Sequence, residues 1–320
     1  PFVLVQSTIA QSGVWIIKHL LENPGRAIVF CLAYEGLQSS VAQAPNVETC
    51  DLLDNVPGYS ANYVDPRQWI QDAIDGAAAT DQFDFVIDSV DTLLSDIGSV
   101  AETYKFLHRV LCLIRARPSP SRLILHGVAP CALLPLLTQS TFSSSLTHIL
   151  AHPPSLLLHL STEYLTPPPP LSPDAKFWSV FTPISERVYE SENIVFGADR
   201  DGAGGTGEFV CELVVRVDSG DGLRRKGVER SLIGWSLAGG PCLLSTVHVL
   251  KPLWTRTALE TPAVDPTQNV SFNLTLTASQ QNSRAQVPLP YVHEGKPTIF
   301  YDPDSGDDID DDDPDEDLDI

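Results

Sequence analysis

The sequence predicts an α/β fold in which a mainly parallel central sheet is flanked by helices and extended by antiparallel strands. In the first half, short apolar runs of strand length alternate with stretches whose apolar residues recur at helical spacing. Strands separated by helices are joined by right-handed crossovers, which make the strands parallel. In the second half, two apolar runs flank a loop rich in glycine and charge, which predicts a hairpin.

The opening segment, residues 1–20, predicts a strand, a turn that contains Gly13, and a helix. Four further apolar runs in the first half predict strands, at residues 27–33, 47–53, 83–89 and 122–127. A helix begins at Pro66, because proline suits the first helical position. Apolar residues at steps of three and four predict a longer helix from Val100 until Pro118 stops it.

The second half is predicted to contain strands that turns rather than helices connect. These strands are expected at residues 146–150, 156–160, 209–217 and 231–237. The hairpin pairs residues 208–218 with residues 228–238. Two connecting segments should lack regular structure: the stiff, proline-rich residues 167–174 and the flexible, glycine-rich residues 198–207.

Composition limits the class of protein. The chain has 320 residues, 43% of them apolar, which is enough for a substantial core. Residues 302–319 contain 12 acidic and no basic side chains, more than half of the formal net charge of −21, and predict a disordered tail. Without a leader or a membrane-spanning run, we expect a soluble intracellular protein. The six scattered cysteines are expected to be free thiols.

The opening turn lies where a P-loop would be, yet it lacks the residues that a P-loop needs. Ser7 occupies the first glycine position, and Val14 and Trp15 follow Gly13 where lysine and a hydroxyl residue are required. Asp88 ends an apolar strand where such ATPases keep a metal-binding aspartate. We favour a structural role, in which Asp88 caps the following turn or helix, and expect no cofactor, no metal site and no catalytic residues.

The alternative is a nucleotide-binding ATPase with an atypical phosphate cradle, formed by Ser7, Thr8, Ser12 and Gly13, with a metal held by Asp88. The histidines are scattered, and no nucleophile elbow is present. Metal binding by His148 and His152 would need both on one helical face, and Pro153 and Pro154 argue against a helix there.

Two basic clusters are candidate nucleic-acid contacts because clustered arginine and lysine bind phosphates. They consist of Arg115, Arg117 and Arg122, and of Arg224, Arg225 and Lys226. Each cluster is equally typical of an ordinary solvated turn. Neither has the interleaved aromatic residues of a platform on which bases stack.

Several motifs near the end of the chain point to a family. They are the run at residues 272–277, then Gln280, Gln281 and Arg284, the Val-Pro-Leu-Pro-Tyr stretch at 287–291, the Tyr-x-Pro-Asp motif at 301–304 with its preceding Ile-Phe, and the closing Asp-Pro-Asp-Glu-Asp-Leu-Asp-Ile at 313–320. These motifs resemble the Elongator complex protein 5 family. In the rest of the chain the resemblance rests on architecture.

The resemblance implies a RecA-like fold that has lost its ATPase motifs, and a non-enzymatic subunit of the Elongator complex, cytoplasmic and nuclear. Such subunits assemble with the fourth and sixth Elongator subunits into a hetero-hexameric ring that binds tRNA and supports wobble-uridine modification by the remaining subunits. No membrane partner is implied.

The resemblance also suggests how the chain is divided. We expect a RecA-like domain over residues 1–255, an extension over 256–301 that contacts its own domain or a neighbouring subunit, and the disordered acidic tail over 302–320. The tail could also bind a basic partner. Candidate partner contacts in the extension and at its end are Leu289, Pro290, Tyr291, Phe300 and Tyr301.

Overall fold

The computed structural model describes most of the first 259 residues and a few later ones. The described ranges are 1–22, 25–35, 37, 46–78, 80–197, 207–217, 227–259, 279, 282, 292–293 and 296–297. The chain divides into two compact units, Pro1–Thr261 and Pro262–Ile320. The acidic tail, the loop at 218–226 and most of the predicted extension lie outside the described residues.

The described part of the first unit contains one nine-stranded sheet. Its strands are β1 (Phe2–Thr8), β2 (Ala27–Cys31), β3 (Val47–Asp51), β4 (Asp84–Ile87), β5 (Arg122–Ala129), β6 (Leu146–His152), β7 (Glu208–Arg216), β8 (Val228–Ser236) and β9 (Gly240–Cys242). In the second unit, β10 (Val292–His293) pairs with β11 (Lys296–Pro297) in antiparallel fashion.

Helices connect most of these strands. They are α1 (Val14–Leu20), α2 (Pro66–Gly76), α3 (Val90–Ile97), α4 (Val100–Ala116), α5 (Leu134–Leu137), α6 (Pro154–Glu163), α7 (Asp174–Ser185), α8 (Val188–Phe196) and α9 (Lys251–Leu259), with a 3₁₀ turn at Leu244–Thr246.

The sheet has the order β3-β2-β4-β5-β1-β6-β7-β8-β9. The six strands from β3 to β6 pair in parallel, and β7, β8 and β9 add antiparallel pairs at one side. The predicted mainly parallel α/β sheet with an antiparallel extension is therefore confirmed. The predicted hairpin corresponds to β7 and β8, in which Cys211 lies opposite Ile233.

Alternate residues of the parallel strands face two different cores, as the pleat of a strand requires. Phe2 and Leu4 of β1 belong to a core that includes apolar residues of α2, α3 and α4, whereas Val3 and Val5 face α1. Burying each such side chain contributes roughly 1.5–3 kcal/mol. A third core lies between α6, α7 and the antiparallel strands. Both faces of the parallel strands are thus covered.

The prediction of a strand at residues 156–160 was wrong, because this run lies in helix α6. Pro154 occupies its first turn, where a missing N–H is tolerated, and Leu156, Leu157 and Leu160 are buried on one face. Helices α6, α7 and α8 together connect β6 to β7, so turns alone do not link the second half. The proline-rich connector also turns, since Leu171 N donates to Pro168 O at 3.0 Å.

Within the described ranges, no helix is both long and apolar enough to cross a membrane. All six cysteines are free thiols.

Candidate functional site

The turn between β1 and α1 is closed by a buried hydrogen-bond network. The backbone N–H of Gly13 donates to Ser7 Oγ at 2.7 Å, and His126 Nε2 lies 2.6 Å from the same oxygen. His126 Nδ1 lies 2.6 Å from the carbonyl oxygen of Asp88, which can only accept, so Nδ1 carries the proton and Ser7 donates to Nε2. Burial lowers the pKa of His126, which favours this neutral form.

Gly13 is required by close packing rather than by backbone conformation. A Cβ at this position would lie 3.0 Å from Val5 Cγ1 and 3.1 Å from Ser7 Oγ. Because Val5 and Ser7 are both buried, neither can withdraw without disturbing the core.

Three further backbone amides of the turn also donate to oxygen atoms within it. Thr8 N donates to the carbonyl of Gln11 at 2.9 Å, and Gln11 N donates to Thr8 Oγ1 at 3.1 Å. Val14 N donates to Ser12 Oγ at 3.3 Å. A phosphate cradle needs backbone amides directed at the ligand, whereas these amides are occupied by oxygen atoms of the turn itself. The hydroxyl groups therefore stabilise the local fold.

Asp88 is completely buried and caps the chain after a neighbouring strand. Its carboxylate accepts hydrogen bonds from the backbone N–H groups of Leu32 at 2.7 Å, Ala33 at 3.2 Å and Tyr34 at 2.9 Å. The prediction that Asp88 caps the following turn or helix was wrong, because Ser89 caps helix α3. Burial raises the pKa of Asp88, although the three amide donors oppose that shift.

The first basic cluster is engaged within its own domain. The Arg117 guanidinium donates to the carbonyls of Ile74, Ala77, Ala78 and Asp81. Arg122 forms a double hydrogen bond with Asp84, at 2.7 and 2.5 Å. Arg115 makes one contact, donating to Ser143 Oγ at 2.5 Å.

The other predicted contacts cannot be placed in the same way. Arg224, Arg225 and Lys226 lie outside the described residues, as do Leu289, Pro290, Tyr291, Phe300 and Tyr301. Their roles remain predictions.

A cavity of about 620 Å³ lies on one face of the sheet, beside the end of β1. Its apolar walls include Pro130, Leu134, Leu150, Val188 and Val214. Cavities of this size are typical of small-molecule sites.

Five polar residues form the floor of this cavity, and we call them the floor cluster: Gln6, His148, His152, Glu212 and Arg230. Glu212 is only 2% exposed, and its Oε2 lies 3.0 Å from His152 Nε2. Arg230 Nε lies 2.8 Å from Glu212 Oε1 as an ion pair, but without the alignment of a hydrogen bond. His148 Nε2 lies 3.0 Å from Gln6 Oε1.

Burial and charge set the protonation of the floor cluster. Burial lowers the pKa of His148 to about 4, so this ring is neutral at physiological pH. Burial alone would raise the pKa of Glu212, yet the hydrogen bond from His152 and the nearby Arg230 outweigh it and lower that pKa. Glu212 and Arg230 thus form a pair of opposite charges in which the carboxylate is buried and the arginine is exposed.

Sequence reasoning missed the floor cluster. It predicted a strand that contains His148 and considered metal binding by His148 and His152 on one helical face, whereas both lie on the same face of strand β6. Gln6, Glu212 and Arg230 occur on three other strands, far apart in sequence, so only the strand order could have brought them together. No group of three metal-ligating side chains occurs in the described part of the chain.

Comparisons with known proteins identify the family. A family model described as Elongator subunit Iki1 matches residues 1–296. A segment is 38% identical over 69 residues to Elongator complex protein 5 of Danio rerio, covering 18% of this chain and 23% of that protein. The human protein of that name is 40% identical over 73 residues, covering 18% and 24%. These alignments therefore span about a quarter of the length of the relatives.

A crystal structure of a KaiC-like protein from the archaeon Pyrococcus horikoshii was also matched. It has a TM-score of 0.40 and 10% sequence identity, covering 75% of this chain and 88% of that one. Since the family model covers nearly the whole sequence, the chain belongs to the Elongator subunit Iki1 family.

Proposed function

We propose that this chain is a non-catalytic subunit of the Elongator complex. In this proposal it assembles with the fourth and sixth Elongator subunits into a hetero-hexameric, RecA-like ring in the cytoplasm and nucleus. The ring binds tRNA and supports wobble-uridine modification carried out by other subunits. Membership of the Elongator subunit Iki1 family supports the assignment to the complex.

The single observation that carries the non-catalytic part is the closed β1–α1 turn. Gly13 N is bonded to Ser7, and Gln11 N and Val14 N are bonded to hydroxyls of the same turn. A nucleotide would have to break these bonds, and it would find neither the lysine nor the metal-binding hydroxyl of a P-loop. Asp88, the counterpart of a metal-binding aspartate, is occupied by three backbone amides.

The contribution of basic residues to tRNA binding is part of the proposal. Arg117 and Arg122 bond to carbonyls and to Asp84 within the domain, so they are poor candidates for phosphate contacts. We assign the contacts instead to Arg115, which makes one internal hydrogen bond, and to Arg224, Arg225 and Lys226.

The assembly is tested by co-expression of the full chain with the two partner subunits. Size-exclusion chromatography with light scattering should give one species that contains two copies of each subunit. A stable monomer that ignores both partners would contradict the proposal.

Calorimetry tests the alternative of an atypical ATPase. Titration of the full chain with ATP, with and without magnesium, should release no heat of binding. Magnesium-dependent binding that is lost on Asp88→Asn, in a variant whose melting curve is unchanged, would favour the ATPase instead.

Phosphate contacts are tested on the assembled ring. Replacing Arg224, Arg225 and Lys226 together with alanine should weaken tRNA binding and reduce the salt dependence of the affinity, by about 0.7–0.9 in logarithmic slope per lost phosphate contact. The matched control is Lys176→Ala on the exposed start of helix α7, which should leave both unchanged. Equal effects of the two variants would argue against this assignment.

A further inference from the structure

The cavity beside β1 combines three features of a built binding site. Its volume of about 620 Å³ falls within the range of small-molecule pockets. Its walls are mainly apolar, with the rings of Pro130 and Pro135 and the side chains of Leu134, Leu150 and Val214. The floor cluster lies on strands of the sheet and is therefore held rigidly, and Thr8, Thr138, Ser185 and Glu186 also line the cavity.

One atom of the floor cluster has unused hydrogen-bonding capacity. Glu212 is 2% exposed, yet its Oε1 accepts no hydrogen bond within the described part of the chain. Its ion-pair contact with Arg230 Nε lacks hydrogen-bond alignment. A buried carboxylate oxygen without a donor is costly, so a ligand that brings an N–H group to it gains binding free energy.

The charges of the floor cluster define the class of ligand. The negative charge of Glu212 is balanced by Arg230, and His148 is neutral. Glu186 also lines the cavity, but it is exposed, so solvent screens its charge. A ligand with a net charge would be desolvated without gaining a matching partner. The amide of Gln6 and the ring of His148 can offer both donors and acceptors. The ligand should therefore be uncharged and carry both kinds of group on one edge.

We propose that this cavity binds a free, uncharged nucleoside, whose nitrogen heterocycle directs an N–H at Glu212. The flat apolar faces of such a ring suit the walls of Leu134, Leu150 and Val214, while its polar edge suits the floor cluster. Binding at this site does not depend on the proposed function.

The proposal is tested by calorimetric titration of the full chain with two free nucleosides, adenosine and uridine. At least one should bind saturably. Val214→Trp fills the cavity and should abolish binding, whereas Val215→Trp, at the next position on the opposite face of β7, should preserve it. Glu212→Gln, which replaces the acceptor oxygen pair by an amide, should weaken binding about tenfold or more.

Several outcomes would overturn the proposal. They are the absence of saturable binding by both nucleosides, binding that survives Val214→Trp, and toluene binding as tightly as the nucleosides, since toluene offers no N–H. Binding of a single-stranded RNA oligonucleotide where both free nucleosides fail would also overturn it. Thermal melts of each variant show whether a lost signal reflects the site or the fold, and the two tryptophan variants still decide the question if Glu212→Gln does not fold.

Discussion

Two parts of the same sheet use their buried polar residues in different ways. At the ends of β1, β4 and β5, the groups of Ser7, His126 and Asp88 bond to the chain itself, and none of the three lines the cavity. Beside β6, β7 and β8, the floor cluster faces a cavity of about 620 Å³ and leaves Glu212 Oε1 without a hydrogen bond. The two parts therefore differ in whether hydrogen-bonding capacity is left unused beside an open volume.

The largest effect on the free energy of unfolding is expected for Asp88, whose carboxylate bonds to the chain itself. Asp88→Ala removes the acceptor for three backbone amides, of which that of Leu32 is buried and those of Ala33 and Tyr34 are partly buried. We expect the free energy of unfolding to fall by about 3–5 kcal/mol in urea titrations. Asp75→Ala, at an exposed position of helix α2, is the control and should change it by less than about 0.5 kcal/mol. Similar values for both variants would show that the Asp88 network is dispensable.

The floor cluster should make the free energy of unfolding depend on pH. Burial lowers the pKa of His148 from 6.5 to about 4, so the native state binds fewer protons than the unfolded state between these values. The free energy of unfolding should therefore be highest above pH 6.5. It should fall as the pH falls toward 4, by about 3 kcal/mol in total.

Urea titrations at intervals of pH would measure this loss. His148→Gln should flatten the dependence, while the exposed His248→Gln should retain it. An unchanged pH profile in His148→Gln would mean that another group of the cluster, such as Glu212, carries the effect.

A smaller effect is expected for the hydroxyl that closes the β1–α1 turn. Ser7→Ala leaves Gly13 N and His126 Nε2 without their partner, and both are buried. The free energy of unfolding should fall by about 2 kcal/mol. Ser12→Ala removes a hydroxyl at an exposed position of the same turn and should cost less than half as much. A greater loss of unfolding free energy in Ser12→Ala than in Ser7→Ala would contradict this prediction.

The smallest effect should come from filling the cavity. Val214→Trp points into open volume and should alter the free energy of unfolding by no more than about 1 kcal/mol. Val86→Trp, in the fully buried part of β4, should cost about 3 kcal/mol or more, since no space exists there. Equal losses in thermal melts would mean that the two regions are packed alike.

Most of the parallel half could be predicted from the sequence because local patterns determine it. The apolar runs of β1, β2, β4 and β5 each indicate a strand, and the helical spacing in α4 indicates a helix. Helix α6 was missed because its run of leucines between prolines has no clear period, and Pro154 resembles a helix breaker until its position at the helix start is known.

The floor cluster lay beyond sequence reasoning for a different reason. His152 and Glu212 are 60 positions apart, and they meet because β6 and β7 pair in a particular register. Neither local pattern fixes that register, because the two strands are connected by helices α6, α7 and α8 and not by a short turn whose length would set it. The absence of the P-loop residues, by contrast, could be recognised at once from Ser7, Val14 and Trp15.

The central position of β1 has a consequence for synthesis of the chain. Its two neighbours are β5 and β6, which begin at Arg122 and Leu146, so β1 is synthesised long before either of the strands that pair with it. Pairing over such distances in sequence is slow, because a long loop must close before any contact stabilises it. During synthesis, residues 2–8 therefore have no partner strand until β5 is made, and we expect this interval to be when a chaperone would protect the apolar segment from aggregation.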